Sequence, residues 1–174
     1  MGRVPSRPTV FPRPADVIPR ATPVGPPRSG HQRAADEETN VEMLDRQPSV
    51  KGPADWFTGD VYFDVIAPGT QTRGKVNTVH FAPGARTAWH RHANGQTLHV
   101  TEGVGLTQSR GGEVVTIHPG QTVWCPPGEW HWHGASPETF MTHLAIWDGL
   151  AEGQDGPETE WSEQVTDVEY GQRS

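Results

Sequence analysis

The chain has one cysteine, Cys125. An internal disulfide is therefore excluded, and the composition fits a reducing compartment, with the cytoplasm as the expected location. No stretch approaches the ~20 apolar residues of a membrane-spanning helix. The arginine-bearing N-terminus also lacks the apolar core of a secretory signal. Positive charge is scarce: 14 Lys and Arg stand against 21 acids, a net charge of −7. That balance argues against nucleic acid and membrane surfaces as partners and leaves a small-molecule substrate as the expected one. Hydrophobic residues make up only 33%, whereas 20 Gly and 17 Pro predict short strands and many turns rather than helices.

Two unequal parts are distinguishable. Residues 1–42 hold eight prolines, and six arginines against five acids. With so few large apolar residues to bury, this part is expected to be a disordered Pro-rich N-terminal extension. A Pro-rich ligand for a partner domain is the sharper alternative. The globular pattern begins just after Met43, so translation from Met43 is a further alternative reading of this part. Residues 43–174 suffice for a single domain with one good core. Eight of its 16 acids fall between Asp148 and Glu169, so it ends in an acidic segment.

From Trp56 onward the apolar pattern alternates. Val61, Phe63 and Val65 share one face of a predicted strand at 61–66, and Asn77, Val79 and Phe81 share one face of another at 75–81, ending at Pro83-Gly84. Leu98 and Val100 keep the parity of Gln96 up to the break at Gly103. Residues 106–109 and 114–117 flank Arg110-Gly111-Gly112, a hairpin signal. Pro119-Gly120 and Pro126-Pro127-Gly128 mark further turns. The last clear strand is read at 140–147, with Met141, His143, Ala145 and Trp147 on one face. Strands at spacings of roughly 8–12 residues, with no convincing helix and no repeat, predict an all-β fold built as a small barrel.

Two stretches carry the chemistry. In the first, His90-Arg91-His92 is followed by Gln96; in the second, His131 follows Pro126-Pro127-Gly128. A His-x-His pair on a strand turns both imidazoles to one face, and Gln96 and His131 can close the set from neighbouring strands. Three neutral imidazoles and one oxygen donor suit a divalent transition ion, with Mn, Fe, Co, Ni and Zn all compatible. A neutral amide at Gln96 leaves the ion its full charge, which strengthens it as a Lewis acid and weakens its retention.

The other candidates are sorted by parity. His143 faces inward, either as a general base or as a hydrogen-bond partner that orients a ligand. Trp147 shares that parity and belongs at a pocket wall. His133 shares the parity of His131, toward the barrel mouth or a subunit contact, and is expected to be structural. His80 and His99 are on the opposite parity and should lie outside, while His118 at a turn and His31 in the N-terminal part should be solvated. Trp89, Trp124, Trp130 and Trp132 are expected in packing or an interface. Seven tryptophans suggest a homo-oligomer, a dimer or tetramer. Cys125 is expected to be buried and inert.

The spacing of the first stretch is Gly84, five residues, His90-x-His92, three residues, Gln96, six residues, Gly103. The second is Gly120, five residues, Pro126-x-Gly128, two residues, His131. Together they resemble the two motifs of the cupin superfamily, with Gln96 where most members have Glu and Ala135 where Asn is usual. The resemblance implies a single-domain jelly-roll barrel, the double-stranded β-helix. Residues 83–90, 95–97, 130–134 and 141–143 further resemble small bacterial manganese cupins that act as hydroxynitrile lyases, over about residues 56–146. That likeness implies His90, His92, Gln96 and His131 as metal ligands, manganese as the ion and His143 as the catalytic base. It also implies a substrate pocket at Asn77, Val79 and Trp147, of which Asn77 and Trp147 depart from the usual residues. The implied function is a metal-dependent lyase for small α-hydroxy compounds, most concretely cyanohydrin cleavage or synthesis. The alternatives are a cupin-type dioxygenase on iron and a non-catalytic small-molecule-binding cupin.

Overall fold

The computed structural model describes residues 41–171, so the expected extension at 1–42 lies, but for its last two residues, outside them. The strands all lie in one unit, residues 43–174. These are β1 (Val50–Lys51), β2 (Phe57–Thr58), β3 (Val61–Ala67), β4 (Gly74–Phe81), β5 (Arg86–Thr87), β6 (His90–His92) and β7 (Gln96–Gly103). They continue with β8 (Gly105–Ser109), β9 (Val115–Ile117), β10 (Thr122–Cys125), β11 (His131–Ala135), β12 (Met141–Asp148) and β13 (Thr159–Trp161). One sheet runs β1-β3-β4-β12-β7-β10. In the other, β11 pairs with both β5 and β6 and also with β8; β2 extends from β5, β13 from β6 and β9 from β8. The expected all-β barrel and the hairpin around Arg110-Gly111-Gly112 are both present.

Alternation decides what is inside. Val61, Val79, Phe81, Leu98, Val100, Met141 and Ala145 of the first sheet meet Ala85, Ile117 and Ala135 in one buried cluster. Each large aliphatic or aromatic member contributes about 1.5–3 kcal/mol by leaving water. Gly103 closes the first motif for a steric reason. Its φ is +74°, and a Cβ there would lie 1.9 Å from the Phe140 carbonyl oxygen.

A second cluster forms from Trp89, Leu106, Val114 and Trp132, with Val165 and Tyr170 packed among them. The acidic C-terminal segment is thus part of the fold. Arg86 fastens it, donating through Nε and Nη2 to Val165 O at 3.1 and 2.9 Å and lying 4.6 Å from the Tyr170 ring centroid. The Tyr170 hydroxyl donates to Ala135 O at 2.8 Å.

Two expectations need correction here. The strand read at 140–147 is present as β12 but is not the last, because β13 follows and pairs antiparallel with β6. A five-residue helix, α1 (Asp167–Gly171), also exists. A reciprocal cap starts it: Glu169 N donates to Thr166 Oγ1 at 3.2 Å, and Thr166 N donates to the Glu169 carboxylate at 2.8 Å. Among the described residues, no helix is long and apolar enough to cross a membrane.

Candidate metal centre and its cavity

Strands β6 and β11 are paired with His131 directly opposite His90. That register, with the i, i+2 spacing of His90 and His92, gathers three buried imidazoles whose ligand-capable nitrogens all lie within 4.8 Å of one another. His90 and His131 are 4.3 Å apart by ring centroid, and His90 and His92 are both buried. His90 Nδ1 lies 3.0 Å from Ala88 O, and His131 Nδ1 lies 2.9 Å from Glu129 O. A carbonyl oxygen only accepts, so both nitrogens carry their proton and both Nε2 atoms keep a free lone pair.

The residues present fit a cation. His131 Nε2 faces Gln96 Oε1 at 3.0 Å, two lone-pair donors pointed at each other. Among the described residues, the buried His92 Nε2 has no hydrogen-bond partner. An ion shared by these atoms would resolve both features, and a nitrogen-rich set with one amide oxygen suits a first-row transition metal.

Burial keeps the cluster uncharged. His90 is held well below the usual imidazole range by desolvation and by His131 and His92 beside it. Desolvation lowers His92 to about 3 and lowers His131 as well. It also lowers His143 to about 4, and His133 falls well below the usual range through desolvation and the nearby His143. An imidazole whose pKa falls on folding takes up its proton more readily in the unfolded chain. Its effect is absent above the ordinary value of 6.5 and works against folding below it. The metal-free protein is therefore expected to lose stability between pH 6.5 and about 4, His143 alone costing on the order of 3 kcal/mol. Urea midpoints measured across that window check this, and a flat profile would contradict it.

The cluster opens into a cavity of about 500 Å³. Asn77, Val79, His90, His92, Gln96 and Trp147 line it, with Phe57, Phe63 and Ala145 completing an apolar wall. His131 lies behind this wall, 2% exposed. His143 is fully buried and is not part of the wall; its Nε2 lies 3.2 Å from Nδ1 of His133, which is. His133, expected to be structural, thus connects His143 to the cavity.

His80 and His118 are exposed, and His99 on the outer face meets the Thr122 hydroxyl at 2.9 Å. Trp89 and Trp132 are packed, Trp130 is partly buried and Trp124 is exposed. Cys125 is buried, its thiol pushed up to about 12 by desolvation. His31 lies outside the described residues.

Part of the wall carries no motif. Trp56, Glu158, Thr159 and Trp161 also line the cavity. Trp161 stacks on His90 at 4.6 Å and on Trp56 at 5.0 Å. The Glu158 carboxylate accepts from Trp147 Nε1 at 2.5 Å and from Lys75 Nζ at 2.7 Å, which fixes the Trp147 indole against the rim.

A family model described as the cupin domain matches residues 77–147. The chain is 52% identical over 132 residues to a protein named (R)-mandelonitrile lyase from Granulicella tundricola, the alignment covering 75% of this chain and 97% of that one. A solved cupin-like protein from Thermotoga maritima is 37% identical, with a TM-score of 0.64 and coverage of 75% of this chain and 95% of that chain. A cupin-2 domain protein from Rhodospirillum rubrum is 18% identical with a TM-score of 0.54, covering 74% and 84%, a likeness of fold alone.

Proposed function

We propose that this chain, which belongs to the cupin family, is a metal-dependent lyase that cleaves and forms cyanohydrins, with manganese as its ion. The observation that carries this reading is the cluster of three buried imidazoles beside Gln96, opening into an apolar-walled cavity beside a separate histidine pair. The lyase named for the 52% identical relative supports the reaction type.

His90, His92, His131 and Gln96 would hold the ion, which would act as a Lewis acid toward a hydroxyl oxygen. The chain's own part is proton transfer and positioning. His133, at the wall, takes the substrate hydroxyl proton and passes its Nδ1 proton to Nε2 of His143. Burial leaves both rings neutral beforehand and therefore able to accept. As the bond between the carbinol and nitrile carbons breaks, its electron pair leaves with cyanide and the aldehyde carbonyl forms. The Asn77 amide offers donors to the departing anion, and Phe63, Val79 and Trp147 exclude water from the organic substituent.

The test is benzaldehyde release from mandelonitrile at mildly acid pH, comparing manganese-loaded with metal-stripped protein. Release well above the stripped control is the expected result. No difference, with manganese shown to be bound, would sink the lyase reading.

A further inference from the structure

We infer that Thr159 is a positioning residue for the metal centre: its hydroxyl, delivered by a strand of the acidic C-terminal segment, holds His92 with Nε2 turned to the ion. This rests on the proposed ligand set.

The three histidines are not oriented alike. His90 and His131 each lean on a carbonyl two residues upstream, so their orientation is encoded within their own stretches of chain. His92 Nδ1 instead lies 3.0 Å from Thr159 Oγ1, at a sequence separation of 67 residues. With the ion on Nε2, Nδ1 carries the proton and the hydroxyl oxygen accepts it. His92 is also the histidine whose Nε2 is buried without a partner among the described residues, so no second hydrogen bond on the ring fixes which way it faces.

The strand that brings Thr159 is locked at every step. Thr159 lies opposite His92, Glu160 opposite Arg91 and Trp161 opposite His90. The Glu160 carboxylate accepts from Arg91 Nε at 2.8 Å and Nη2 at 2.6 Å, the Trp161 indole covers the His90 ring, and Ala93 N donates to Glu158 O at 2.9 Å. A one-residue slip would break the ion pair and turn the hydroxyl to the opposite face. Hydrogen-bond partners of ligating histidines fix ring orientation and raise metal affinity, and their loss typically weakens binding about 10–100-fold.

The experiment compares Thr159→Val, nearly isosteric without the hydroxyl, with Thr159→Ser, which retains it. Affinity of the full chain for Mn(II) and Zn(II) is measured by chelator competition, and histidine ring nitrogens are followed by ¹⁵N NMR in the zinc form. Thr159→Val is expected to bind both ions about 10–100-fold more weakly while its metal-free form still unfolds cooperatively, and to move the His92 Nδ1 signal; Thr159→Ser should stay within about threefold of the parent. Parental affinity in Thr159→Val overturns this inference alone, as does equal weakening of both variants. A parent protein that binds neither ion overturns the ligand set as well.

Discussion

Replacing His143 by alanine is expected to lower cyanohydrin cleavage by about two to four orders of magnitude while leaving the bound metal unchanged. His143 has no place in the cluster of His90, His92 and His131, so its loss removes no ligand atom. It does place Nε2 3.2 Å from His133 Nδ1, deep behind the cavity wall. Without that acceptor, a proton taken by His133 would have no second ring to share it, at a site where burial disfavours the imidazolium. The void left beside the Phe81 ring, 5.6 Å from that of His143, should itself cost a few kcal/mol, so the variant's unfolding curve belongs in the experiment. His143→Asn disturbs packing less and should lose as much rate, because an amide does not take up the proton. A parental rate in a folded His143→Asn protein would remove the pair from the reaction. Metal lost together with rate would make His143 a support of the centre instead.

Truncating Trp132 to alanine should destabilise the fold by about 3–5 kcal/mol, measured by urea unfolding at neutral pH. The side chain is fully buried on β11 and touches the cluster that Val165 and Tyr170 complete. Its Nε1 donates to Gln108 Oε1 at 2.7 Å, so the truncation also leaves a buried amide oxygen short of its donor. A single domain is stable by only about 5–15 kcal/mol, which makes the loss a large share. A cost under about 1 kcal/mol would mean that the C-terminal segment contributes little to holding the sheet.

Much of the site was legible in the chain because the relevant information is local. Strand periodicity turned His90 and His92 to one face, where Gln96 and His131 could close the set, and it put Trp147 with His143 and His80 outside; Asn77 and Val79 were implied as pocket residues by the resemblance to the cupin lyases. β13 escaped for the opposite reason. Thr159 and Trp161 alternate with Glu158 and Glu160 over too few residues to show a period, inside a segment read only as acidic. Its pairing with β6 depends on the specific partners Arg91, His90 and His92. The helix, by contrast, had a readable signal in Thr166-x-x-Glu169, masked because only five residues continue it. His133 was legible in direction but not in its proposed role, because that rests on a contact with His143 from the other sheet.

The separation between His92 and Thr159 also bears on how the protein is made. On the ribosome, the histidine pair of β6 emerges well before His131 and long before the hydroxyl that steadies it. Long-range strand pairings of this kind form late, since distant segments must first be brought together. A nascent chain that has delivered all three histidines of the cluster therefore still presents an unfinished candidate centre, and its completion waits for a strand translated after the last of them.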